Sequence, residues 1–408
     1  MSRFRRRLMG LAAQKSDFVR VEYIETNGTQ YIDTLYKPTN TTKIVTTATY
    51  LASNTTLCAS RWSGEPTYDT FGIYNNTRNE MVFFYGRYNQ QYLQIIKTNY
   101  LNKKCTYTLS NQLLIKEGGT TLYSNNVSFD TKISSNNLNL YIFAFNTMGV
   151  ANSDGKARLY NFKIYEDTTL VRYFIPVLNK TNGKYGLFDL VEQKFYTSPN
   201  GVNFIGGREI IYDAEIEYLE TQGNCNIPTP YVPSGLNIGI QTKFMPLGYT
   251  QNTNWMSWYN AYTNEQTQCF RCMRPRSNDL IWITNGAVSA GSGSDPQYNI
   301  TFGNTYEIVT NGRSISVNGV TKTGRTQSST HNTGIISIFE NRFKGRCYYF
   351  KVLDNGNLIL DCIPVRIGNV GYMYDKVSNQ LFGNNPAASG TLILGADVEV
   401  YDKIININ

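Results

Sequence analysis

Residues 19–38 read VRVEYIETNGTQYIDTLYKP, and residues 214–233 read AEIEYLETQGNCNIPTPYVP. The two stretches align without a gap. Glu22, Tyr23, Glu25, Thr26, Gly28, Ile32, Thr34, Tyr36 and Pro38 meet Glu217, Tyr218, Glu220, Thr221, Gly223, Ile227, Thr229, Tyr231 and Pro233. A second block repeats in the same order: RLYNFKIYEDTTLVRYFIPV (residues 158–177) matches RCYYFKVLDNGNLILDCIPV (residues 346–365). LFDLVEQKFY (residues 187–196) and MYDKVSNQLF (residues 373–382) follow it. Order and spacing held over about 190 residues per copy mean two tandem copies of one module. The expected division is residues 1–16 as a basic arm, 17–207 as the first module and 208–408 as the second.

Within a copy the apolar period is two. Val19, Val21 and Tyr23 alternate with Arg20 and Glu22, and Ile44, Thr46 and Ala48 repeat the pattern, as do Tyr141, Phe143 and Phe145. Such alternation marks half-buried strands. Asn27-Gly28, Asn182-Gly183 and Asn355-Gly356 read as hairpin turns, because Asn and Gly accept positive φ at low cost. The quoted stretch is thus expected to open its module as a hairpin. With 31 Tyr, 20 Phe, 41% hydrophobic residues and only 17% charged, the chain has the composition of an all-β protein with real cores. Two tandem antiparallel β-sandwiches behind a short helical arm are expected.

These motifs carry a family resemblance. Glu22–Thr34, Tyr141–Asn146, Arg158–Val177 and Gly186–Asp189 resemble the concanavalin A-like, laminin-G-like jelly-roll modules. Such modules occur in surface and virion proteins of gut bacteria and their tailed phages, crAss-like phages included. The second copy departs from the pattern, with NCNIPT for TQYIDT and ISIFENR for LYIFAFN. The resemblance implies the fold, and implies roles spanning glycan binding, adhesion and virion decoration.

The net charge of +8 is concentrated: Arg3, Arg5, Arg6, Arg7 and Lys15 precede the first acid, Asp17, which leaves about +3 for the rest. Phe4, Leu8 and Leu11 fall at helical spacing among those arginines. The arm is expected to dock on a protein partner, its guanidinium groups pairing with carboxylates while the apolar stripe fills a groove. A capsid or other virion protein fits that role; nucleic acid is the competing partner. No run of 18 apolar residues occurs, so no membrane span is expected, and LMGLAA is too short for a secretory signal.

No pattern of catalytic residues stands out, and no enzyme activity, cofactor or metal is expected. His331 is the single histidine and sits in a Ser/Thr-rich segment with no equivalent in the first copy. Cys269 and Cys272 form one CxxC without a second pair. Asp213, Glu215 and Glu217 would share one face of a strand, the geometry a glycosidase needs from paired carboxylates. Phe18 and Arg20 stand opposite the first two in the other copy, and Ala214, Ile216 and Tyr218 form the apolar set, so a wetted strand face is expected. Cys347 and Cys362 replace Leu159 and Phe174 of the first copy, which makes them reduced packing residues. Arg271, Arg274 and Arg276 around Pro275 read as a solvated basic loop. Trp62, Trp255 and Trp258 lie in polar segments and are the expected glycan-stacking residues. What the resemblance implies, taken with the arm, is a non-enzymatic, homo-oligomeric phage virion protein, a head fibre or capsid decoration. It would be held by its arm and display glycan-binding modules on the particle surface. A tail adhesin or a bacterial surface lectin is the alternative.

Overall fold

The computed structural model describes residues 17–62, 69–87, 93–110, 112–126, 137–152, 155–232, 238–249, 255–261, 269–275, 280–286, 297–311, 314–323, 334–339 and 343–401. These residues form strands and connecting turns, with no α-helix among them. The arm at residues 1–16, and with it the expected helix, lies outside the described residues. The described chain parts into two compact units, one ending at Ile211 and the other beginning at Tyr212.

In the first unit the larger sheet runs Thr120–Asn126, Gln112–Glu117, Cys105–Leu109, Thr42–Tyr50, Ala157–Glu166, Thr169–Asn179, Lys184–Asp189 and Lys194–Tyr196 in hydrogen-bonded order. The smaller sheet runs Val150–Asn152, Phe145–Thr147, Thr55–Trp62, Asp69–Asn75, Met81–Arg87 and Leu93–Ile96. Pairing is antiparallel except where Phe145–Thr147 lies parallel to Thr55–Trp62. The core lies between the sheets: Ile44, Ala48 and Phe162 from one meet Leu57, Phe71, Ile73 and Phe83 from the other, all fully buried. Each such large apolar side chain contributes about 1.5–3 kcal/mol by leaving water.

The second unit repeats the plan. Its larger sheet runs Val320–Thr323, Ser314–Val317, Tyr306–Asn311, Ile238–Tyr249, Phe343–Asp354, Asn357–Ile367, Ala214–Ile216 and Asp397–Val400. Its smaller sheet runs Ile227–Pro228, Ser337–Ile338, Trp255–Ala261, Cys269–Pro275, Leu280–Gly286 and Gln297–Asn299. Ile240, Phe244, Phe350 and Val352 from the larger sheet pack with Ile338 and Tyr298 from the smaller. Both units are therefore two-sheet β-sandwiches.

Two sequence expectations change on the backbone. The stretch at residues 19–38 is not a hairpin. Ile24–Thr26 pairs with Ala157–Leu159 in the larger sheet, whereas Ile32–Asp33 pairs with Tyr141–Ile142 in the smaller. Asn27-Gly28 turns the corner between sheets. Gly28 takes φ 103° and donates its N–H to Thr26 Oγ1 at 3.1 Å; Gly223 repeats this with φ 108° and Thr221 Oγ1 at 3.1 Å. A Cβ on Gly28 would stand 2.9 Å from the Gly155 carbonyl. Asn-Gly signals positive φ, and a sheet-crossing corner uses that freedom as readily as a hairpin does. The other two signals do close hairpins, joining Thr169–Asn179 to Lys184–Asp189 and Phe343–Asp354 to Asn357–Ile367. Tyr141–Phe145 does not alternate either: every residue is buried, because Phe143 kinks the chain at φ 67°. Phe339 makes the same kink at φ 60° in the second unit.

The structure also extends the duplication. Ile205–Gly206 pairs with residues 24–25, and Ile393–Leu394 pairs with residues 219–220. Gly207 then donates its N–H to the Tyr23 carbonyl at 2.8 Å, and Gly395 to the Tyr218 carbonyl at 2.9 Å.

Candidate functional site

The most specific constellation in each unit is built by the repeated motif itself. On Ile24–Thr26 the flanking residues point into the core, so Glu25 is left on the outer face, directly opposite Arg158. Their side chains meet at 2.7 Å, and the Arg158 guanidinium lies 4.5 Å from the centre of the Tyr23 ring. Tyr23 packs edge-on against Tyr160 at 5.8 Å, and Lys104 Nζ sits 4.3 Å from the Tyr160 ring centre. The second unit reproduces the arrangement. Glu220 and Arg346 meet at 2.7 Å, and Arg346 lies 4.2 Å from the Tyr218 ring centre. Tyr218 packs edge-on against Tyr348 at 5.7 Å, and Lys243 Nζ lies 5.4 Å from the Tyr348 ring centre. Burial raises the Tyr23 phenol, with Arg158 pulling in the opposite direction. A cation held between a carboxylate and an aromatic face locks the corner strand onto the larger sheet.

A second aromatic–cationic group lies on the outer face of the first unit's smaller sheet. Phe145, Ala59, Gly72 and Phe84 stand in one cross-strand row. The two small residues in the middle let the rings lean together, with centroids 6.3 Å apart. Tyr74 packs edge-on against Phe145 at 5.5 Å, and Arg61 stacks over it at 4.2 Å. The Tyr74 hydroxyl donates to Asn54 Oδ1. Phe145 itself is buried under this group, and the half-buried Tyr74, Phe84 and Arg61 around it can meet the C–H face and hydroxyls of a sugar. It escaped the sequence reading, which looked for tryptophan. Arg61, Tyr74, Phe84 and Phe145 come from four strands, and only the pairing register brings them together.

The expected glycan residues lie apart from this patch. Trp62 ends the Thr55–Trp62 strand, half-buried at the sandwich rim and opposite Asp69. Trp255 and Trp258 lie on the Trp255–Ala261 strand, where the register shifts between Ser257 and Tyr259 and places Trp258 in the irregularity. The side chains of both lie outside the described residues, as do those of Cys269, Cys272, Arg271 and Arg274. His331, Arg276 and the arm residues Arg3, Phe4, Arg5, Arg6, Arg7, Leu8 and Leu11 lie outside them entirely.

Of the three candidate acids, Asp213 and Glu215 are occupied in structural bonds, whereas the Glu217 side chain is exposed and only its N–H is bonded, to the Ala396 carbonyl at 2.8 Å. Ala214 and Ile216 are buried, which turns the acids of that strand away from the core. Asp213 Oδ2 accepts the Gly368 N–H at 2.8 Å. Glu215 Oε1 accepts the Tyr212 hydroxyl at 2.9 Å and the Tyr401 hydroxyl at 3.2 Å, in a group where Tyr212 also packs against Tyr374 and Tyr401. These bonds fix the final strand of the unit. Among the described residues no group of three or more His, Cys, Asp or Glu side chains gathers, and no helix is long and apolar enough to cross a membrane.

Cys347 and Cys362 are fully buried free thiols, like Cys58, Cys105 and Cys225. Burial pushes the Cys58 thiol up to about 12 and drives those of Cys347 and Cys362 up as well. At pH 8 these groups are protonated, and the thiol form is a poor nucleophile. Iodoacetamide should leave all five unmodified in the native protein and label them after denaturation, as read by peptide mass spectrometry. Rapid native labelling of Cys347 or Cys362 would contradict the packing role.

No family model and no curated protein matches the chain. Solved structures similar to it include two laminin regions and a sialidase. Domains LG4-5 of the mouse laminin alpha1 chain share 10% identity, covering 84% of this chain and 92% of that one, with a TM-score of 0.28. The LG1-3 region of the laminin alpha2 chain shares 10%, covering 93% and 66%, with a TM-score of 0.27. A mutant of NanB sialidase from Streptococcus pneumoniae shares 9%, covering 91% and 75%, with a TM-score of 0.26. Function has to be argued from the chain's own residues.

Proposed function

We propose that this chain is a non-catalytic display and adhesion protein of a tailed-phage particle. The arginine-rich arm docks on a capsid or other virion protein, and two concanavalin A-like modules contact glycans at the host surface. Head fibre or capsid decoration is the placement, with several copies on symmetric sites. The observation that carries the reading is the duplicated sandwich, which has aromatic–cationic groups on its outer faces, Asp213 and Glu215 tied into structural bonds, and its described thiols buried. Such surfaces bind; they do not poise a proton or a nucleophile. The phage placement rests on the motif resemblance and the charge of the arm.

The test is a density gradient of particles from the source lysate, read by mass spectrometry. Co-banding of the chain with the major capsid protein, lost on deletion of residues 1–16, is expected. Recovery only in the cell-envelope or soluble fraction would overturn the virion placement.

A further inference from the structure

The outer faces of the two larger sheets share a backbone plan and differ in charge. In the first unit Ile44, Thr46 and Ala48 point inward from Thr42–Tyr50, so Lys43, Val45 and Thr47 face outward. On Ala157–Glu166, Phe162 and Ile164 point inward, and Lys163 and Tyr165 face outward. Lys43 pairs in register with Tyr165 and lies 5.5 Å from its ring centre. Lys163 pairs with Tyr173 and lies 4.2 Å from that ring centre. The next row runs Asn161, Thr47, Thr106 and Lys116 across four strands, with Lys116 on the outer side of a strand whose Leu113 and Ile115 are buried. Lys104, over Tyr160, completes the group beside the Arg158–Glu25 pair.

The same register identifies the equivalents in the second unit. Tyr165 corresponds to Leu353, which pairs with Gly239, so Gly239 stands where the first unit has Lys43. Asp361 stands where the first unit has Tyr173, and it pairs with Lys351 at 3.2 Å. Lys243 pairs with Tyr349, whose hydroxyl donates to Glu307 at 2.7 Å; Glu307 occupies the position of Thr106. Asn318, bonded to Glu307, occupies the position of Lys116. One fold thus carries an outer face dominated by lysine in one copy and a face with matched acids and bases in the other. Lys163 keeps a lysine counterpart in Lys351, there paired with Asp361, but packing does not require Lys43 or Lys116, because the second copy holds the same sheet with Gly239 and Asn318 in their places.

We infer that the outer face of the first unit's larger sheet binds an acidic polysaccharide, and that the corresponding face of the second unit does not. This rests on the adhesion reading above and deepens it by naming the glycan class. The lysines make a surface complementary to a chain of carboxylates or sulfates. The row from Lys116 to Asn161 crosses four strands, roughly 14 Å at the usual strand spacing, which suits an oligomer better than a single ion. Thr47, Thr106 and Asn161 offer hydroxyl and amide partners between the charges. Nucleic acid fits less well. Base stacking needs open aromatic faces, and here the Tyr160 and Tyr173 rings lie beneath ammonium groups.

The experiment measures binding of the full chain to immobilised dextran sulfate and to unsulfated dextran of the same length, over a salt series. Binding to dextran sulfate alone is expected, weakening as salt rises. Replacing Lys43, Lys104, Lys116 and Lys163 together by Gln should lower affinity tenfold or more at an unchanged thermal transition. Replacing Lys243 and Lys351 by Gln should change it less than twofold, and replacing Arg3, Arg5, Arg6 and Arg7 by Gln should lower it far less than the four-lysine variant does. Equal loss in either of those control variants overturns the assignment, as does tighter binding of oligo-dT than of dextran sulfate. A chain that binds neutral glycans on a panel but not dextran sulfate defeats this inference and leaves the adhesion reading standing. A chain that binds neither defeats both.

Discussion

Asp375→Ala should lower the unfolding free energy of the second unit by about 3–5 kcal/mol. Its carboxylate is fully buried. Asp375 Oδ1 accepts the Asp361 N–H at 2.8 Å and the Val377 N–H at 3.2 Å, and Oδ2 accepts the Ser378 N–H at 3.0 Å and the Ser378 hydroxyl at 2.5 Å. One side chain thus ties the Asn357–Ile367 strand to the turn that follows Val370–Asp375. Alanine would leave three backbone N–H groups without this charged acceptor: that of Asp361, half-buried in its strand, costs about 1–3 kcal/mol, and those of Val377 and Ser378, in an exposed turn, cost less because water can replace the carboxylate. Asp375→Asn keeps one acceptor oxygen and should recover part of the loss. The first unit has the same device in Asp189, which is fully buried and accepts the N–H groups of Tyr173 at 2.9 Å and Val191 at 3.0 Å. Urea unfolding followed by circular dichroism measures the change. A shift below about 1 kcal/mol for Asp375→Ala would mean that the turn is held some other way.

The second large effect separates the two cores. Phe174→Ala should destabilise the first unit by about 3–5 kcal/mol, because a fully buried ring leaves a cavity that a rigid sandwich cannot close. Phe174 packs edge-on against Tyr196 at 5.3 Å and lies 6.3 Å from Phe162. Its counterpart Cys362 is equally buried but far smaller, so Cys362→Ala should cost the second unit only about 1 kcal/mol. Thermal or urea unfolding of both variants tests the contrast. Equal losses would show that the equivalent positions carry equal shares of their cores.

What could be read in the sequence follows from the range of each signal. Alternation in Thr42–Tyr50 is a local property of a half-buried strand, and its inward set is the one the periodicity indicates. The duplication was legible because Arg158–Val177 and Arg346–Val365 each build a strand pair around one turn, so both insertion and substitution are constrained along the whole block. The corner at Gly28 was misread because a dipeptide reports a backbone angle and not the destination of the next strand. The kink at Phe143 had no signal at all, since an aromatic residue at positive φ is contrary to its local preference and is imposed by packing. The counterpart strands at Ile205–Gly206 and Ile393–Leu394 are too short to stand out. The surfaces assigned to binding were the least legible. Lys43, Lys116 and Lys163 lie far apart in the chain and become one face only through pairing, as do Arg61, Tyr74 and Phe145. Glu25 and Arg158 were both visible as repeated residues, yet nothing in their sequence positions showed that they face each other.

On the proposed function, these duplicated sandwiches bind glycan without transforming it. The most direct measurement incubates the full chain with a panel of acidic and neutral polysaccharides, then records both the bound fraction and the size distribution of the recovered glycan. Saturable binding, unchanged chain length and identical behaviour of Glu215→Gln and Glu217→Gln are the predicted result. Release of shortened products by the native protein, abolished by either substitution, would contradict it.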